Sequence, residues 1–141
     1  MATKTTTQCE FGTVYDQFKG NPKQAIKHLL KTKEGECTAA LFRADIGYID
    51  IVWGENNPKT NNGYGLKHII DKHGETIKSL GFNIEDFIPI VVQFGNLSVS
   101  KTGEEYILES NMFRVVIEKF AYGKSKQWLL TAFDLRKKPK K

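Results

Sequence analysis

The last third of the chain restricts the possible folds most. Four strand-like segments, at 97–101, 104–109, 112–120 and 126–135, follow one another with only short turns between them, at Thr102-Gly103, Ser110-Asn111 and Tyr122 to Ser125. In the third segment Phe113, Val115 and Ile117 fall on one face while Arg114, Val116 and Glu118 fall on the other. In the fourth, Trp128, Leu130 and Ala132 alternate with Leu129, Thr131 and Phe133. Period-two text joined by tight turns makes an antiparallel meander. Its apolar face needs a second layer to cover it.

The text upstream supplies that layer. Asn21-Pro22 marks a helix start, and Ala25, Ile26, Leu29 and Leu30 recur at helical spacing to about Lys33. Residues 38–43 and 48–53 read as strands flanking the turn Ala44-Asp45-Ile46-Gly47, a hairpin. The Asn-, Gly- and Lys-rich stretch 54–65 reads as a mobile loop. A short helix is predicted over 66–73, and Gly74 is expected to separate it from a further helical turn at 75–80, capped by Gly81. Asn83 then N-caps a helix at 84–94, which Pro89 should kink or shorten. The predicted class is α+β, with N-terminal helices and a hairpin packed on a C-terminal antiparallel meander.

The 141 residues suit one domain, expected at 11–135, after a disordered lead-in at 1–10 and before a basic tail at 136–141. At 40% hydrophobic residues the chain can bury a core unaided. Its apolar runs, such as Ile88 to Val92, fall far short of a membrane span, and residues 1–8 lack the apolar stretch of a signal peptide. Cys9 and Cys37 form no metal or redox motif and read as idle thiols of a reducing compartment. The net charge of +5 arises in the tail, which holds five of the 21 basic residues; the other 16 balance the 16 acidic ones. Affinity for a polyanion must therefore rest on where individual cations sit.

Histidine and lysine concentrate in Gly65-Leu66-Lys67-His68-Ile69-Ile70-Asp71-Lys72-His73-Gly74. At about 100° per residue, Leu66, Ile69, Ile70 and His73 share a face. His68 lies across the helix, near Lys72, and should be solvent-exposed. The two histidines would not converge, and the spacing does not suit zinc; no metal and no cofactor is expected. His73 reads either as a capping or core histidine at a helix end or as an acid–base group facing the sheet. Arg114 reads either as a surface ion pair with Glu118 or as a phosphate clamp. Thr131 is either a hydroxyl bonded to a buried carbonyl or a phosphate donor. Ser98, with Ser100, could line the open sheet face. His28 should be solvated. Phosphate-loop, dinucleotide-binding and nucleophile-elbow motifs are all missing. The set that remains, His, Lys, Arg, Thr and Ser, is what metal-free RNA cleavage uses, because RNA brings its own 2′-hydroxyl nucleophile.

Three blocks carry a family resemblance: Phe11-Gly12 with the first helix and LFRADIGYIDIVWG at 41–54, then GLKHIIDKH at 65–73, then WLLTAF at 128–133. Together they resemble the phage-type nuclease domains of the barnase/EndoU/colicin/RelE-like superfamily, over about 11–135. The resemblance implies a barnase/EndoU/RelE-like α+β fold and metal-independent endoribonuclease activity ending in a 2′,3′-cyclic phosphate. It further implies an RNA substrate (tRNA, mRNA or rRNA) and a cytoplasmic site of action, reached by delivery if the domain is a toxin. Carried onto this chain, it makes His73, His68, Arg114 and Thr131 catalytic candidates, and Lys67, Lys72, Ser98 and Lys119 substrate-binding ones. A toxin of this kind implies a cognate immunity or antitoxin protein of acidic character. No clear barnase-like glutamate base is present; Glu105 and Glu118 read as solvent charges. A catalytically silent nucleic-acid-binding module and a virion or protein-interaction domain are the competing readings.

Overall fold

The computed structural model describes residues 11–57, 59, 62–121 and 123–135. The lead-in, the tail and Cys9 lie outside them. The order is β1 (Val14–Tyr15), α1 (Pro22–Thr32), β2 (Glu36–Arg43), β3 (Gly47–Val52), β4 (Glu55–Asn57), β5 (Asn62–Tyr64), α2 (Gly65–Ser79), α3 (Ile84–Phe94), β6 (Asn96–Val99), β7 (Glu105–Glu109), β8 (Phe113–Ala121) and β9 (Lys124–Asp134).

The class is α+β as expected, but hairpin and meander are not separate layers. They form one seven-stranded mixed sheet, β1-β2-β3-β9-β8-β7-β6, in which β1–β2 and β3–β9 are the parallel neighbours. The β3–β9 ladder has a single register pair, Asp50 with Trp128. A cluster of side chains reinforces this narrow joint. The Lys126 ammonium lies 2.6 Å from Glu36 Oε1 and 2.5 Å from Asp50 Oδ2, linking β9 to β2 and β3. Asp50 Oδ1 also accepts the Ala39 N–H at 2.7 Å. Ala39 is left-handed, at φ 55°, inside the irregularity of β2 between Cys37 and Leu41. Burial opposes the charge on Lys126, but the two carboxylates outweigh it and hold the amine above the usual lysine range.

The main core lies where α1, α2 and α3 meet the sheet. Ile26 and Leu29 of α1, Leu66, Ile69 and Ile77 of α2, and Ile88 and Val92 of α3 close over Leu41, Ile49, Ile51, Leu108, Val115, Ile117 and Leu129. Cys37 is buried among them, and burial pushes its thiol up to about 12, which keeps it protonated and unreactive. His28 is not solvated: its ring packs on Tyr15 and Phe18, with Nε2 enclosed and without a hydrogen-bond partner among the described residues.

Local structure departs from expectation in two places. α2 is continuous through Gly74, because a glycine inside a helix costs only about 1 kcal/mol, less than the packing of Ile69 and Ile77 returns. It ends in a Schellman motif, with Gly81 at φ 89° and N–H bonds from Gly81 to Lys78 and from Phe82 to Ile77. α3 keeps the expected bounds, Ile84–Phe94, with Pro89 inside it. The segment read as a loop folds into a small hairpin, β4–β5. That hairpin depends on Gly54 and Gly65, both at positive φ, where a Cβ would collide with the carbonyl oxygens of Tyr64 and Trp53 respectively.

Replacing Lys126 with Met strands two partly or fully buried carboxylates. Urea denaturation should show a loss of roughly 3 kcal/mol, whereas Lys119→Met should stay within about 1 kcal/mol. Equal effects would mean that the joint does not rely on Lys126.

Candidate active site

α2 follows β5 directly and lies against β9, so its first turn is covered by the β4–β5 hairpin on one side and by the sheet on the other. His68 is consequently buried, 8% exposed, and not on the surface as its helical position suggested. Its Nδ1 lies 2.8 Å from Asn56 Oδ1. Asn56 Nδ2 in turn donates to Asp71 Oδ2 at 3.4 Å, and Lys67 Nζ lies 3.2 Å from the same oxygen. With the Asn56 amide turned this way, its Oδ1 can only accept, so His68 carries its proton on Nδ1 and presents a lone pair at Nε2. Burial, followed by the nearby Lys72 ammonium, pushes His68 below the ordinary histidine value of 6.5, with Asp71 opposing. The ring is therefore neutral at pH 7. Gly63 makes room for this arrangement: a Cβ there would fall 2.5 Å from His68 Nδ1 and 2.6 Å from Asn56 Oδ1.

The histidines do converge. The His68 and His73 rings meet edge to face, with centroids 5.9 Å apart. The half-buried His73 also lies 5.5 Å from the ring of Phe133. Phe133 is the cross-strand partner of Arg114, whose guanidinium is 5.8 Å from the same ring. His73 and Arg114 thus share one aromatic neighbour. Arg114 is ion-paired, not with Glu118, but with Glu109, directly opposite it on β7. Both side chains are more than a third exposed, so the pair is solvated and exchangeable.

Thr131 lies two residues before Phe133, on the same strand face. Its Oγ1 is enclosed and has no hydrogen-bond partner among the described residues, so the hydroxyl is not presented to an incoming phosphate. Ser98 is exposed but three strands from Thr131 along the row Ser98, Ile107, Val116 and Thr131, about 14 Å away at ordinary strand spacing. Lys119 points elsewhere: its ammonium bonds the Gly103 carbonyl at 3.0 Å and lies over the Tyr106 ring. Lys67 and Lys72 flank the histidines. Glu118 faces Glu105 across the strands, and burial followed by that like charge raises its carboxyl above the usual range.

On the side of Asn56 and Lys67 opens a cavity of about 520 Å³, lined also by Phe11, Trp53, Tyr64 and Glu55 among others; neither histidine is in its lining. The sequence reading missed Asn56, which fixes the His68 ring, and Phe133, around which His73 and Arg114 gather. Neither carries a local signal, since one lies in loop-like text and the other in an apolar strand.

These features describe an α+β protein with a histidine pair that shares an aromatic neighbour with an exposed arginine, and an open cavity on the Asn56 side of the buried histidine. Residues 40–139 match the family model described as phage-Barnase-EndoU-ColicinE5/D-RelE like nuclease1, and the chain belongs to that nuclease family. The match takes in both histidines, Arg114 and Phe133; residues 11–39 precede it but contribute β1, α1 and the start of β2 to the same sheet and core. No curated protein and no solved structure gives a match. No helix among the described residues is long and apolar enough to cross a membrane.

The depressed value of His68 has a consequence for stability. Below pH 6.5 the unfolded chain binds a proton that the folded chain resists, so this contribution is present above 6.5 and is lost as pH falls through the folded value. Denaturation midpoints measured from pH 7.5 to 5 should fall more steeply for the wild type than for His68→Gln. Parallel curves would show that His68 is not held neutral.

Proposed function

We propose that this nuclease is a metal-independent endoribonuclease that cleaves RNA by attack of a 2′-hydroxyl on the adjacent phosphorus, leaving a 2′,3′-cyclic phosphate and a free 5′-hydroxyl. The observation that carries the reading is the pair of adjoining histidines, one held neutral with a defined tautomer, the other sharing Phe133 with a solvated arginine. Nε2 of His68 takes the 2′-hydroxyl proton as the O–P bond forms. His73 donates a proton to the departing 5′-oxygen as the P–O bond breaks. Arg114 exchanges Glu109 for the phosphate and neutralises the charge that builds on the phosphorane oxygens. Lys67 and Lys72 attract the backbone. The cavity beside Asn56, with Phe11, Trp53 and Tyr64 in its lining, receives the base or ribose on one side of the scissile bond. The reaction is placed where RNA is, in the cytoplasm of a producing or a target cell. A protein that silences the domain would be acidic, since it would have to cover Lys67, Lys72 and Arg114.

The test is incubation of purified protein with total tRNA and mixed RNA in excess EDTA, followed by analysis of product ends. The wild type should cleave and leave cyclic phosphate. His73→Ala should lose about 10²- to 10⁴-fold in rate, and Arg114→Ala about 10²- to 10³-fold, with circular dichroism unchanged. Cleavage that requires added divalent metal, or that persists in both variants, would overturn the assignment.

A further inference from the structure

A second surface, away from the histidines, has the composition of a nucleic-acid contact. Phe42 of β2 and Tyr48 of β3 are cross-strand partners, and their rings lie 4.8 Å apart. They are 48% and 45% exposed, although a sheet that buries Leu41 and Ile49 so completely has no packing need for aromatic side chains there. Lys19 Nζ stands 4.9 Å from the centre of the Tyr48 ring.

The surface continues from this pair. The Gln127 amide donates to the carbonyls of Ile46 at 3.0 Å and Tyr48 at 2.9 Å, fixing one wall of a cavity of about 400 Å³. Phe120, 45% exposed, and Lys119 line the same cavity. The acidic groups beside the Phe42–Tyr48 pair are engaged: Asp45 pairs with Arg43 at 2.7 Å, while Glu36 and Asp50 share Lys126. Three exposed rings thus stand on this surface with Lys19 beside one of them, and the carboxylates next to the Phe42–Tyr48 pair are neutralised.

We propose that Phe42, Tyr48 and Phe120, with Lys19 beside Tyr48, form a base-stacking track that binds single-stranded RNA outside the cleavage site. Stacking on a ring suits any base, and it suits a single strand because paired bases offer no free face. Gln127 and Phe133 sit six residues apart on β9, about 20 Å along the strand. The track therefore engages the strand several nucleotides from the scissile bond and favours long unpaired substrates over dinucleotides. The choice of RNA rests on the ribonuclease reading; stacking itself does not require catalysis.

The test is fluorescence anisotropy with a labelled 2′-O-methyl 12-mer, whose blocked 2′-oxygen cannot attack, so a failure of the catalytic proposal leaves the result readable. The full chain should bind the single strand more tightly than its duplex. Phe42→Leu combined with Tyr48→Leu keeps apolar bulk but removes the aromatic faces, and should weaken binding roughly tenfold or more. Tyr48→Phe should restore wild-type binding, and Lys31→Ala on α1 should match the wild type. Leucine variants that bind like the wild type, equal affinity for duplex, or no binding by the wild type would each overturn the track.

Discussion

The sheet depends on a lysine held between two carboxylates. β3 and β9 share one ladder pair, yet that joint unites the β1-β2-β3 half with the β9-β8-β7-β6 half. Lys126 bridges it through Glu36 and Asp50, and Asp50 extends the link to the left-handed backbone at Ala39. A buried ion pair repays its desolvation only with good geometry and further hydrogen bonds. Here its value lies in location, because it fixes β9, and therefore Phe133 and Arg114 beyond it, against the strands that lead through β4 and β5 into α2.

The chemistry at the site follows from that placement. The same short hairpin that closes through Gly54 and Gly65 carries Asn56 over the first turn of α2, so His68 is buried and held in one tautomer at once. The sheet brings Phe133 to His73 from the other direction. Two side chains some 140° apart around an ideal helix meet because both sit between the hairpin and β9.

Much of the fold was legible from periodicity. α1, α3 and the meander follow from apolar residues at helical or alternating spacing, and the family resemblance was carried by blocks in β2–β3, α2 and β9. Non-local facts were not legible. A parallel β3–β9 pairing leaves no local pattern, and the Asn- and Gly-rich text of β4–β5 is read as a loop until the close approach of Gly54 to Tyr64 is known. The burial of His68 comes from that hairpin and not from α2 itself, so a helical wheel places it in solvent. The Arg114 partner was misread for a related reason: Glu118 lies on the same strand face, but Glu109 is directly opposite on the neighbouring strand. Helix, sheet and hairpin each contribute one part of the candidate site, which is why no contiguous motif displays it.

Burial and the nearby Lys72 charge hold His68 neutral, while Asn56 keeps its proton on Nδ1 and its lone pair on Nε2, beside His73. Nitrogen-detected NMR of the imidazole rings across a pH titration tests it most directly. The account predicts an Nδ1–H tautomer for His68 and a midpoint below 6.5, with loss of the single tautomer in Asn56→Ala. An Nε2–H tautomer, or a midpoint at or above the ordinary histidine value, would contradict it.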